Sequence, residues 1–228
     1  LAAKAFAEWK KKPNINHLPH TCDCDVAHQI PVIGPEGSMA GRMLAICGAG
    51  PSLARAKTSG VFDKVDDVWG CNRAANYMVE KGWPITHAVS IDPGEAMWKE
   101  AWADPPDVPH YILATTVAPE LTEHLLEHGK NITFFHSLQG GFEGELDMYR
   151  MLYPPAPLVG RGLNVVNRTL ELADWLGYDR IYLVGADNCL APGDQMYAGG
   201  MSEADVEDPE AICRSDDIMG QSLSLIHI

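Results

Sequence analysis

Short apolar runs recur along the chain at 43–47 (MLAIC), 67–71 (DVWGC), 86–91 (THAVSI), 110–114 (HYILA), 131–135 (NITFF) and 180–184 (RIYLV). Between most of them lie stretches that suit helices, at 73–82, 94–102, 119–129 and 163–176. A strand buried on both faces reads as a continuous apolar run, and these runs are too short for helices. Strands that alternate with helices build right-handed crossovers and a sheet whose strands run parallel. The pattern therefore predicts an α/β, Rossmann-like, mainly parallel sheet with helices on both faces. It places a single domain at 42–200, after an N-terminal helix and linker arm at 1–41 and before an acidic segment at 201–228.

Composition narrows the function classes. Lys and Arg total 17 against 31 Asp and Glu, a formal net charge of −14. Nonspecific nucleic-acid affinity comes from phosphate neutralisation by cations, so this balance argues against a nucleic-acid partner. No apolar run approaches the roughly 18 residues of a membrane span. The six cysteines are scattered, and Cys47 and Cys71 fall inside strand-like runs, as free thiols of a reducing cytoplasm do. In the arm, His17, His20, Cys22, Cys24 and His28 are zinc-ligating types at a spacing that matches no usual finger, so a polar loop without metal is expected. The chain opens at Leu1, and residues 222–228 resemble a translated sequencing-adapter tail, so a fragment is expected. The Gly/Pro-rich stretch 137–161 reads as a long irregular loop beside substrate.

The chemistry is concentrated where the first run ends, in Gly48-Ala49-Gly50-Pro51-Ser52-Leu53. Glycines allow a tight turn and close approach of a ligand, and Pro51 suits a first helical turn. Ser52 adds a hydroxyl at a helix N-terminus, whose free N–H groups and dipole attract phosphate. A Walker A loop is excluded because its Lys is missing. The dinucleotide fingerprint is excluded because Leu53 replaces its third glycine and Cys71-Asn72, rather than an acid, closes the second run. In a parallel sheet all strand C-termini open onto one edge, so Gly48–Ser52, Asn72, Asp92 and Asp187 are expected to converge there. Asn72 offers both a donor and an acceptor to a base or ribose. Asp92 and Asp187 fit a hydrated Mg²⁺ that bridges to phosphate oxygens, and either carboxylate also suits a general base. A second glycine turn, Gly160-Arg161-Gly162, with Asn164 just after it, offers a further anion pocket.

The motifs GAGPSL (48–53), CN (71–72), SIDP (90–93), ATT (114–116), GRGLN (160–164) and LGYDRIYLVGADN (176–188) resemble the 6-hydroxymethylpterin diphosphokinase-like domain family, which has many bacterial and phage members. They are also similar, more distantly, to bacterial CMP-sialic acid-dependent sialyltransferases. The resemblance implies a nucleotide-binding transferase. Gly48, Ala49, Gly50, Pro51, Ser52, Asn72, Gly162 and Asn164 would hold the nucleotide, and Asp92 and Asp187 would be catalytic or metal-binding. The leading expectation is Mg²⁺-dependent transfer of diphosphate from ATP to a hydroxymethyl acceptor. The alternative is transfer from a CMP-sugar, with Tyr182 and Tyr197 on the leaving phosphate. The resembling enzymes take their base from a histidine in a later segment, and here no His lies between 137 and 226. A third reading is a non-catalytic phage or surface-assembly binding module, because fold alone does not fix function.

Overall fold

The computed structural model describes residues 31–138, 145–147, 157–160 and 164–187. Seven strands form one sheet: β1 (Met43–Cys47), β2 (Asp67–Cys71), β3 (His87–Ser90), β4 (His110–Ala114), β5 (Ile132–Ser137), β6 (Leu158–Val159) and β7 (Arg180–Val184). Their order is β6-β5-β4-β3-β2-β1-β7, and every neighbouring pair is parallel. The chain thus steps outward from β1 to β6 and returns to the far side of β1 as β7. Ligands of open α/β sheets bind where the order reverses in this way, outside the strand C-termini. Here the order reverses between β1 and β7.

Alternation along the strands builds two apolar layers. One face of the sheet carries Tyr111, Leu113, Ile132 and Phe134, covered by α1 (Arg73–Glu80) and α2 (Pro119–Glu127). The same face continues over β1, where Ala45 and Cys47 meet Leu53 and Ala56. The opposite face carries Leu44, Ile46, Trp69, Val89 and Phe135, covered by α3 (Val165–Leu176) through Leu172, Ala173 and Leu176. Helices therefore lie on both faces, as the alternation of runs predicts. Burial pushes the Cys71 thiol up to about 12 and raises that of Cys47 as well, so both stay protonated packing groups at neutral pH.

Three elements differ from the sequence reading. Residues 94–102 form one widened turn, Met97–Ala101, instead of an α-helix. The Trp102 N–H donates to the Met97 carbonyl, five residues back, at 2.7 Å, and the turn seats the Trp102 ring against Tyr111 at 5.3 Å. The segment after the glycine turn, Pro51–Ser59, is a 3-10 helix. The hydroxyls of Thr58 and Ser59 donate to carbonyls three residues back and reinforce its tight winding. Finally, β6 lies inside the stretch read as an irregular loop; at two residues it has no period to read.

Part of the arm also packs on the domain. The Ile33 N–H donates to the Phe134 carbonyl at 2.9 Å, the Met39 N–H to Leu176 at 2.8 Å, and Ile33 is buried. The histidines and cysteines of the arm, Gly162, Tyr197 and the acidic segment 201–228 lie outside the described residues.

Candidate functional site

The glycine turn is held by β7. The Gly48 N–H donates to the Val184 carbonyl at 2.8 Å, and the Gly50 N–H to the Gly185 carbonyl at 2.9 Å. Backbones this close leave no room for side chains. A Cβ on Gly50 would lie 2.6 Å from Asp187 Oδ2 and 2.7 Å from the Gly185 oxygen. Gly185 has φ +63°, and a Cβ there would lie 2.2 Å from the Gly48 oxygen. The two turns that end β1 and β7 are therefore one interlocked unit.

Asp187 completes that unit. The Ser52 N–H donates to Asp187 Oδ2 at 2.7 Å, and the Ser52 hydroxyl donates to Asp187 Oδ1. A carboxylate thus caps the first turn of the 3-10 helix, where the dipole favours negative charge. Asp92, beyond the end of β3, accepts the Gly94 N–H at Oδ1 (2.8 Å), and its Oδ2 makes no hydrogen bond among the described residues. Both acids lie at the carboxyl edge, but Asp187 is bonded to Ser52 through both oxygens. No cluster of three or more metal-ligating side chains occurs among the described residues.

Asn72 is the unusual residue of the site. It directly precedes α1, where an Asn normally caps the helix with its side chain, yet it makes no such bond. Its backbone stands at φ 49°, ψ −122°, and it is the one non-glycine residue with positive φ among those described. Its Oδ1 is buried and has no hydrogen-bond partner. A strained backbone and an unpaired buried acceptor are each unfavourable, and together they occupy the strand end next to the glycine turn. Asn164, by contrast, caps α3 through Oδ1, which accepts the Asn167 N–H at 2.9 Å. Tyr182 lies within β7 and packs on the apolar cluster of Leu53 and Val68.

Two further features of this edge carry no role in the sequence reading, although Ser90, Thr115 and Thr116 belong to its motifs. Ser90, Thr115, Thr116, His136 and Ser137 close β3, β4 and β5 and are all buried. Thr115 Oγ1 and His136 Nδ1 are 2.9 Å apart. The signal was present: two apolar runs each end in adjacent polar residues, Thr115-Thr116 and His136-Ser137. The other feature is Arg73, the first residue of α1, 3.6 Å from Glu100 in an exposed ion pair. A cation there opposes the helix dipole, and an exposed pair contributes less than about 1 kcal/mol.

The parallel sheet, the reversal of strand order between β1 and β7 and the helices on both faces define a Rossmann-like α/β domain. Among solved structures it is similar to the MAf glycosyltransferase from Magnetospirillum magneticum AMB-1, with 17% identity and a TM-score of 0.57, over 72% of this chain and 26% of that one. It is also matched, at 14% identity and a TM-score of 0.48, with a mammalian sialyltransferase in complex with Gal-beta-1-3GalNAc-ortho-nitrophenol, over 90% of this chain and 78% of that one. The chain spans about a quarter of the length of the MAf glycosyltransferase. At such identities the likeness is one of fold. No family model and no curated protein matches the chain, so the resemblance to the diphosphokinase-like family rests on its short motifs. No helix among the described residues is long and apolar enough to cross a membrane.

Proposed function

We propose that this chain binds a nucleotide-activated sugar at the carboxyl edge of its sheet and takes part in transferring the sugar to an acceptor hydroxyl. The observation that carries the reading is Asn72, strained and with a buried, unpaired Oδ1, one strand from the interlocked glycine turns. A buried, unpaired acceptor is satisfied when a ligand brings a donor, such as a ribose hydroxyl or a base amine. The fold likeness to a glycosyltransferase favours sugar transfer over transfer of diphosphate from ATP.

In such a transfer the acceptor oxygen bonds to the anomeric carbon while the bond from that carbon to the donor's phosphate oxygen breaks. The acceptor proton must leave, and the phosphate departs with added negative charge. Asp92, over the middle of the sheet, has an oxygen available to take that proton. The same oxygen suits a Mg²⁺ ion brought by donor phosphates, which would supply charge neutralisation. Asp187 fits a shared ion less well, because both its oxygens accept from Ser52.

Calorimetric titration with CMP, CDP and ATP, each with and without Mg²⁺, tests the reading. Binding of CMP or CDP in preference to ATP, weakened about tenfold or more in Asn72→Ala, is expected. A preference for ATP would replace sugar transfer by diphosphate transfer. Absence of binding by all three would leave an interaction module.

A further inference from the structure

The glycine turn has the build of a phosphate loop, but its anion position is already filled. Ser52 is the residue whose N–H and hydroxyl would meet a phosphate, and it gives both to the carboxylate of Asp187. A phosphate at that place would displace a carboxylate or lie against it. Two charges of like sign a few ångströms apart near a protein surface repel. Two side-chain acceptors stand at this end of the edge: the Asp187 carboxylate and, two strand spacings or about 10 Å across the sheet, the buried Oδ1 of Asn72. Such acceptors select a ligand part rich in donors and without negative charge. Just beyond Asn72 stands a cation, Arg73, which opens α1 and makes an exposed ion pair with Glu100 at 3.6 Å; water screens that pair, so a phosphate competes with Glu100 for the guanidinium.

We infer that the ligand lies with its neutral, hydroxyl-bearing ribose on the glycine turn and its phosphate toward Arg73. Asp187 is then a positioning and specificity-determining residue that keeps phosphate off the turn. This inference rests on the proposed nucleotide binding but makes a separate claim, the orientation of the ligand.

The test compares cytidine with cytidine monophosphate by titration of the purified chain and two variants. Asp187→Asn keeps the shape of the cap: its Oδ1 accepts the Ser52 N–H, while its Nδ2 donates to the Ser52 oxygen. Only the charge is removed. The ratio of CMP to cytidine affinity is expected to rise about tenfold in Asp187→Asn and to fall about tenfold in Arg73→Gln. A ratio unchanged in either variant overturns the orientation. In the wild-type protein inorganic pyrophosphate is expected not to displace cytidine, which needs no variant to fold; displacement would place phosphate on the turn and overturn the inference. Should cytidine and CMP both fail to bind the wild-type chain, it is the nucleotide-binding reading that falls, and the orientation with it.

Discussion

Asn72 occupies a backbone conformation that glycine adopts freely and other residues adopt at a cost of about 1–3 kcal/mol. Asn72→Gly should therefore stabilise the fold by about 1 kcal/mol once the extra entropy of an unfolded glycine is deducted. That gain corresponds to a rise in Tm of roughly 2–4 °C for a chain of this size. Nucleotide affinity should fall in the same variant. Scanning calorimetry and titration on one preparation check the pair of outcomes, and a variant that gains stability while keeping full affinity would remove Asn72 from the site. Gly50 gives the opposite case. In Gly50→Ala a methyl group would lie 2.6 Å from Asp187 Oδ2 and 2.7 Å from the Gly185 oxygen, so the turn or β7 must give way. A loss of about 1–3 kcal/mol in urea denaturation is expected. The glycine pattern of the turn was legible in the sequence, because Gly-x-Gly-Pro-Ser after an apolar run has few other uses. The bond from Ser52 to Asp187 was not, since it joins residues 135 positions apart and depends on how closely β7 approaches β1.

At the scale of elements, the opposite end of the sheet holds a polar and aromatic row that the apolar runs did not announce. Asp67 is buried at the start of β2, and its Oδ2 accepts from Arg42 Nε at 2.9 Å and from the Tyr178 hydroxyl at 2.8 Å. Trp69 packs edge-on to Tyr178 at 5.6 Å and lies 5.4 Å from His87 of β3, which in turn is 5.4 Å from His110 of β4. Burial is the largest cause depressing His87, from 6.5 to about 4; the neighbouring His110 adds to it and Asp67 opposes it. His110 is lowered by burial too. The unfolded chain takes up these protons near pH 6.5, whereas the folded chain resists His87 protonation until about pH 4. Stability is thus fully present above pH 6.5 and falls as the pH drops toward 4, by roughly 3 kcal/mol for His87 at about 1.4 kcal/mol per pH unit. Denaturation midpoints measured from pH 7 to 4.5 should follow that slope in the wild type and a shallower one in His87→Gln. Equal slopes would contradict the assignment. The strands themselves were legible as runs, but the widened turn at Met97–Ala101 was not, because a helix-compatible composition does not reveal that a buried Trp102 must reach Tyr111.

For the whole molecule, the decisive feature is that the chain leaves β1 in one direction and comes back beside it as β7. Alternating runs predicted a parallel sheet with helices on both faces but carried no information on strand order. The reversal itself, with its interlocked Gly48–Ser52 and Gly185–Asp187 turns, came only with the topology. The same order puts Asn72 and Asp92 progressively further along one edge, which the rule that strand C-termini share an edge had anticipated. It also assigns a different task to each acid, since Asp187 caps a helix while Asp92 keeps an oxygen outside its own turn. The central claim is that a nucleotide occupies this edge against Asn72. A crystal structure of the chain grown or soaked with CMP tests it most directly. The account predicts the nucleotide at the carboxyl ends of β1 and β2, with a donor atom within about 3.2 Å of Asn72 Oδ1; CMP bound elsewhere, with that oxygen still unpaired, would contradict it.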